Sequence, residues 1–275
     1  MTTRPLSSAA GAQLSRAGEI EVLVWPWLAE LGVEAVVTTR ECGVSTGTYR
    51  ALNLGLHVGD DADAVVENRR RAASAVGATL DDLVFARQVH GVRATIVGAR
   101  DAGRGARETD GAIEGSDALV TADAGPVLVT LVADCSPILL VDPVAHVLAT
   151  VHAGWRGAVA GTVGGALETM ATMGARPERT VAAIGPTVSP STYVVGSEVA
   201  EAVDDAFGGD AHEVLWPHGD RWRFDVAGAN RLRLRAAGVA EERISHSPFA
   251  SGDGPFFSDR TTRPCGRFGL LARLR

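Results

Sequence analysis

The chain has no lysine: all 26 of its basic residues are arginine. That absence excludes Schiff-base chemistry, a lysine-anchored cofactor and a lysine P-loop. Any anionic ligand must be met by arginine, a metal or the backbone. Cysteine is scarce as well. Cys42, Cys135 and Cys265 are odd in number, widely spaced and free of any Cys-x-x-Cys pair. A disulfide framework is therefore not expected, and a cytoplasmic setting is. No apolar run approaches the roughly 18 residues of a membrane span, so no membrane partner is expected. The opening residues lack a charged leader followed by an apolar segment, and residues 1–18 are expected to be a flexible N-terminal tail. A long basic stripe is missing too. Net charge is −7, and the short run Glu-Asn-Arg-Arg-Arg-Ala-Ala at 67–73 reads as a solvated helix face, not a nucleic-acid footprint.

What is present is a core. Hydrophobic residues make up 46% of 275, and a chain of this length buries roughly 70–75% of its unfolded surface. The order of elements follows from periodicity and breakers. Strands are expected at 33–41, 81–91, 92–98, 126–135, 136–143, 146–154 and 180–186, with a last one at the C-terminus, and the apolar runs at 126–135, 136–143 and 146–154 read as buried strands of one sheet. Helices are expected at 61–77, 156–174, 196–208 and 225–238. Two Gly-rich stretches, 42–61 and 99–117, read as long loops, and the first is long enough to suggest function. The expected fold class is α/β: a single layered catalytic domain over 19–275, with mixed sheets covered by helices. The glycines after Arg156 do not fit a dinucleotide fingerprint.

Three chemically capable residues fall where apolar runs stop. They are His90 in Gln-Val-His-Gly, Cys135 in Ala-Asp-Cys, and His152 in Val-His-Ala-Gly. Neighbouring strands lie about 4.8 Å apart, so side chains at their ends can converge on one ion. A thiolate with two imidazoles is a zinc donor set, and three protein ligands leave a fourth position for water, as in catalytic sites. Zinc lowers the pKa of such water to about 7. Copper accepts the same donors. The same atoms allow a second reading, with Cys135 as nucleophile, His152 as base and Asp134 orienting it. On a regular strand Asp134 points to the opposite face from Cys135, which favours a supporting or backbone-capping role for it.

Further motifs join these. Leu-Asn-Leu-Gly-Leu-His-Val-Gly-Asp-Asp, Arg-Gln-Val-His-Gly, Ala-Asp-Cys-Ser-Pro-Ile-Leu-Leu-Val-Asp-Pro and Val-His-Ala-Gly-Trp-Arg-Gly occur in this order, before a C-terminal Phe-Phe-Ser-Asp-Arg and Gly-Arg-Phe-Gly. Together they resemble the YfiH-type family, also called laccase-domain or polyphenol oxidase proteins and described as purine nucleoside phosphorylases. The resemblance spans about residues 33–275. It implies a layered α/β fold and a single catalytic zinc on His90, Cys135 and His152. It also implies phosphorolysis of adenosine, inosine and methylthioadenosine with phosphate, together with adenosine deamination.

With no lysine, Arg156 and Arg260 become the candidates for gripping phosphate, since guanidinium binds it in bidentate fashion. Cys135, His152 and Arg156 are thus the catalytic set, and Asn53, His57 and Arg260 the substrate-binding set. Asn53 has the competing reading of a turn stabiliser. The chain departs from the family pattern at Cys42, where glycine is usual, in Ile-Ser-His-Ser-Pro-Phe-Ala, which lacks a Cys-Thr pair, and around Arg260 and Cys265. The ligand motifs are intact; the substrate-facing side is altered. Two other function classes stay open: a copper-dependent phenol oxidase and a metal-stabilised binding module without catalysis. A true laccase holds several coppers, largely with His-x-His pairs, and this chain has seven histidines and no such pair. The expected quaternary state is a monomer or small homo-oligomer.

Overall fold

In the computed structural model, residues 11–252 and 254–275 are described. Short apolar runs become strands. In chain order these begin with β1 Gln13–Ala17, β2 Ile20–Val24, β3 Val33–Thr38, β4 Leu83–Phe85, β5 Ala94–Ile96 and β6 Ala118–Thr121. Next come β7 Val127–Val132, β8 Ser136–Asp142, β9 Val147–Ala153, β10 Val181–Ile184, β11 Thr187–Val188 and β12 Val194–Val195. The last are β13 Leu215–His218, β14 Arg221–Phe224, β15 Ile244–His246, β16 Ala250–Ser251 and β17 Phe268–Leu274. Helices are α1 Ala62–Ser74, α2 Trp155–Ala160, α3 Thr162–Ala171, α4 Ser197–Phe207 and α5 Val226–Ala236.

Two six-stranded mixed sheets form the body. The first runs β1-β2-β3-β17-β7-β4 and the second β15-β10-β8-β9-β6-β5. Alternation sorts their side chains into layers. Along β7, Leu128 and Val132 face the space between the sheets, while Val127, Val129 and Leu131 face outward with Ala72, Ala73 and Val76 of the α1 region. Along β8, Leu139 and Val141 enter the inter-sheet core, and Ile138 and Leu140 pack with Val163, Leu167 and Met170 of α3. All seven residues of β8 and of β9 are buried, as a sheet covered on both faces requires. The order is therefore helix, sheet, sheet, helix, in agreement with the layered α/β expectation.

The structure corrects several boundaries. Within the expected tail, residues 1–10 lie outside the described residues, but Gln13–Ala17 pairs antiparallel with Ile20–Val24 to form the edge of the first sheet. Exposed, polar β1 carries too little apolar pattern to announce itself. The strand expected at 81–91 stops at Phe85, so His90 sits in a loop, with φ of 59°. β7 and β8 were expected in one sheet. They belong to different sheets, and the chain crosses between them at Ala133–Cys135. The helix expected at 156–174 is two helices, broken at Gly161, whose φ of 89° no right-handed helix accepts.

The run at 67–73 is likewise split by helical geometry. Arg70 and Arg71 pair with Glu67 at the surface, whereas Asn68 and Arg69 turn inward with Val65 and Ala72.

Candidate metal centre

Cys135 is the residue on which the first sheet hands the chain to the second. β7 ends at Val132, Asp134 takes a φ of 94°, and β8 starts at Ser136. Asp134 is spent on this crossing. Its carboxylate accepts the Ser251 hydroxyl at 2.7 Å and the Arg260 backbone N–H at 2.8 Å. It does not orient His152, so the Cys135–His152–Asp134 triad is not formed; the backbone-capping role is. His152 lies in β9, opposite Pro137 in the register. Its ring Nδ1 is 2.8 Å from Oδ1 of Asp117, a residue the motifs did not single out.

Asp117 is the hub of the site. Its buried carboxylate also accepts the backbone N–H groups of Val89, His90 and Gly91 at 3.2, 2.9 and 2.8 Å. It thereby shapes the left-handed turn that presents His90. Burial by itself raises the Asp117 pKa; the His152 and Gly91 hydrogen bonds outweigh it and bring the carboxyl below its usual value. Gln88 anchors the same loop from the other side. Its amide donates to Leu131 O at 2.8 Å and accepts from Leu131 N at 2.9 Å, extending the β4–β7 pairing by a side chain.

The three candidate ligands converge. His90, Cys135 and His152 offer donor atoms all within 4.8 Å of one another, and Cys135 Sγ is 3.9 Å from His90 Nε2. Tetrahedral bonds of about 2.05 and 2.3 Å put N and S about 3.6 Å apart, so the triangle is of a size to close on one ion. With Nδ1 of His152 committed to Asp117, Nε2 is the nitrogen left for it, the arrangement in which a carboxylate fixes the tautomer of a ligating imidazole. Burial pushes the Cys135 thiol up, but the charge of His152 and the hydrogen bonds of both imidazoles bring it down to about 6, toward the thiolate that ligates metals. Burial lowers His152, while the Cys135 sulfur and Asp117 raise it to about 9. Gly154 completes the enclosure: a Cβ there would lie 2.6 Å from Cys135 Sγ, so only glycine lets the backbone pass.

The triangle opens into a cavity of about 630 Å³. His57, Arg156 and Arg260 line it, as do Trp155 and Tyr193. The Arg156 guanidinium stacks over Trp155 at 4.3 Å and that of Arg260 over Tyr193 at 4.9 Å. Both arginines are exposed at the mouth. Asn53 is not brought to the cavity. Fully buried, it donates to Asp60 Oδ2 at 2.8 Å and accepts from Gly55 N and Arg267 N at 2.9 and 2.8 Å, which makes it a turn and C-terminal-strand clamp.

Fold and site define a class: layered α/β proteins with a His-Cys-His candidate metal centre at the seam of two sheets. The family model described as "Multi-copper polyphenol oxidoreductase laccase" matches residues 34–275, and the chain belongs to that family. It is 42% identical over 241 residues to a protein of Deinococcus radiodurans named purine nucleoside phosphorylase, covering 88% of each chain. It is 40% identical over 221 residues to "Adenosine deaminase RL5" from an unknown prokaryote, covering 80% of this chain and 84% of that one. Its structure resembles that of YfiH from Bacillus licheniformis with a TM-score of 0.90 and 28% identity, covering 95% and 99% of the two chains.

Proposed function

We propose that the chain is a zinc-dependent enzyme of purine nucleosides, cleaving adenosine, inosine and methylthioadenosine with phosphate and deaminating adenosine. The observation that carries this reading is the convergence of His90, Cys135 and His152 on the wall of an arginine-lined cavity. The names of the Deinococcus and RL5 relatives support the two activities. Bound by the three residues, zinc would supply a Lewis acid and a means of acidifying water at neutral pH.

The chain's own groups do the rest. Asp117 holds His152 and the His90 turn in place. Trp155 and Tyr193 offer aromatic walls to a purine, and burial holds the Tyr193 phenol up at about 12, so it remains a hydrogen-bond donor. Arg156 and Arg260 meet anions at the mouth. In phosphorolysis a phosphate oxygen bonds to ribose C1′ as the C1′–N9 bond breaks. The electron pair leaves with the purine, which takes up a proton, and the products are base and ribose 1-phosphate. In deamination, water adds at C6 and ammonia leaves, giving inosine.

Metal-replete protein incubated with adenosine and phosphate is expected to release adenine with ribose 1-phosphate, and inosine without phosphate. Product no greater than that of Cys135→Ala would refute the reading. Phenol oxidation by several coppers has less support: among the described residues, one group of three candidate ligands forms. Chelation followed by reconstitution with zinc or copper separates the two, and a metal-raised Tm without turnover would mark a binding module.

A further inference from the structure

Arg69 sits in the apolar register of α1, four residues after Val65 and three before Ala72, and is only 3% exposed. Its Nε donates to Leu54 O at 2.8 Å, and its Nη1 donates to Gly105 O at 2.6 Å and Ala106 O at 2.9 Å. The guanidinium carbon lies 3.9 Å from the centre of the Phe85 ring. Every one of these neighbours is neutral. Among the described residues no carboxylate comes within ion-pair distance, and Nη2 has no protein partner. Burial pulls the Arg69 pKa down to about 9, which still leaves the group charged at neutral pH.

A charge taken this far from water without a counter-ion is costly, and such groups ordinarily carry one. Arg69 nevertheless lines the same cavity as the His-Cys-His triangle. Two further groups line it nearby. His57 feels both guanidinium fields: desolvation first, then Arg267 and Arg69, hold its pKa below the ordinary value. Arg267 keeps Nη1 on the Cys265 and Gly266 carbonyls and has Nη2 3.4 Å from Asp259. One carboxylate, Asp259, therefore stands against three arginines that line the cavity, Arg69, Arg263 and Arg267.

We infer that the Arg69, His57 and Arg267 end of the cavity is an anion subsite that takes inorganic phosphate, the missing counter-ion of the buried Arg69. Assigning phosphate as co-substrate there rests on the phosphorylase reading; the binding itself does not. The mouth arginines, Arg156 and Arg260, are exposed to water and stacked on aromatic rings, and Arg260 Nη2 also donates to Val194 O at 2.6 Å, so they gain less from an anion than Arg69 does. A phosphate at the Arg69 end meets donors already fixed by the wall, in charge-assisted hydrogen bonds.

The test is calorimetric titration of inorganic phosphate into metal-loaded, full-length protein, without nucleoside. Wild type is expected to bind, and Arg69→Met and Arg267→Met to weaken binding about tenfold or more, while Arg100→Gln, at an exposed arginine outside this cavity, stays within about threefold. Because Arg69→Met removes three structural hydrogen bonds, Arg267→Met and His57→Ala carry the test if that variant does not fold. No binding by wild type would overturn the subsite. So would loss of binding in Arg156→Gln with retention in Arg267→Met and His57→Ala. Phosphate binding with the expected dependence but no base released from any nucleoside would sink the phosphorylase reading and leave the subsite standing. Phosphorolysis with an unchanged phosphate KM in both Arg267→Met and His57→Ala would do the reverse.

Discussion

Asp117→Asn separates a ligand-positioning carboxylate from a mere loop staple. The side chain keeps its shape but trades one acceptor oxygen for an NH2 donor. In the native site, Oδ1 faces His90 N–H and His152 Nδ1, and Oδ2 faces the N–H groups of Val89 and Gly91. With the amide NH2 in the Oδ2 position, two backbone donors meet a third donor. With it in the Oδ1 position, His90 N–H loses its acceptor, and His152 Nδ1 must itself accept. The imidazole proton then moves to Nε2, the nitrogen a metal needs.

Either orientation weakens the site. Loss of such an outer carboxylate costs about 10- to 100-fold in metal affinity, or about 1.4–2.7 kcal/mol. The one or two charge-assisted bonds lost to the half-exposed loop cost about 1–3 kcal/mol of folding stability. Competitive chelator titration reads the first and urea unfolding of chelated protein reads the second. Zinc affinity within about threefold of wild type, with stability lowered, would show that Asp117 only staples the His90 loop and would refute its role in setting the His152 tautomer.

Three more outcomes follow from local geometry. Gly154→Ala places a Cβ 2.6 Å from Cys135 Sγ, so metal content by elemental analysis is expected to collapse while the far-UV circular dichroism is retained; full occupancy would contradict the close approach. Gly161→Ala meets no atom within 4 Å but must hold a φ of 89°, so urea unfolding should show a purely conformational loss of about 1–2 kcal/mol. Asp142 is fully buried on the Arg179 guanidinium and the N–H groups of Val144, Ala145 and Arg176. Burial raises its pKa, but the Arg179 bond and the backbone donors prevail and hold it below the usual value. Its contribution is therefore complete above the unfolded pKa of about 3.9 and is lost as pH falls through the folded one. Asp142→Asn should cost about 2–3 kcal/mol at pH 7, and the gap in denaturation free energy should close below about pH 4; a gap independent of pH would contradict the charged pairing.

The candidate ligand triangle was legible because His90, Cys135 and His152 sit in distinctive motifs where apolar runs break off. Neighbouring strand ends in one sheet account for only part of the convergence, since β7 and β8 belong to different sheets and His90 lies five residues past its strand. Asp117 stayed hidden because a lone aspartate closing a polar, Gly-rich stretch looks like any turn residue. Arg69 was hidden by its neighbours: three consecutive arginines read as one solvated face until the helical register of Val65 and Ala72 is applied to each separately. Asn53 drew attention through its Gly-rich loop, yet its polar atoms are consumed by the backbone. Cys42, where the family usually has glycine, holds a φ of 65°, the region glycine occupies freely. The layers were readable from alternation and burial-length runs; the exposed edge strand β1 was not, having no apolar face to display.

The two-way grip of Gln88 on Leu131 has a mechanical corollary. It ties the His90 segment to the first plate, whereas His152 rides on the second, and Cys135 stands at the seam, one residue before the strand that pairs with β9. The Asp117 bracket and the Thr162 hydroxyl, which donates to Gly91 O at 2.7 Å, reach across to the His90 turn. A slip of one plate over the other therefore changes the spacing of the two imidazoles, and the candidate ion pocket registers it as a strain gauge would.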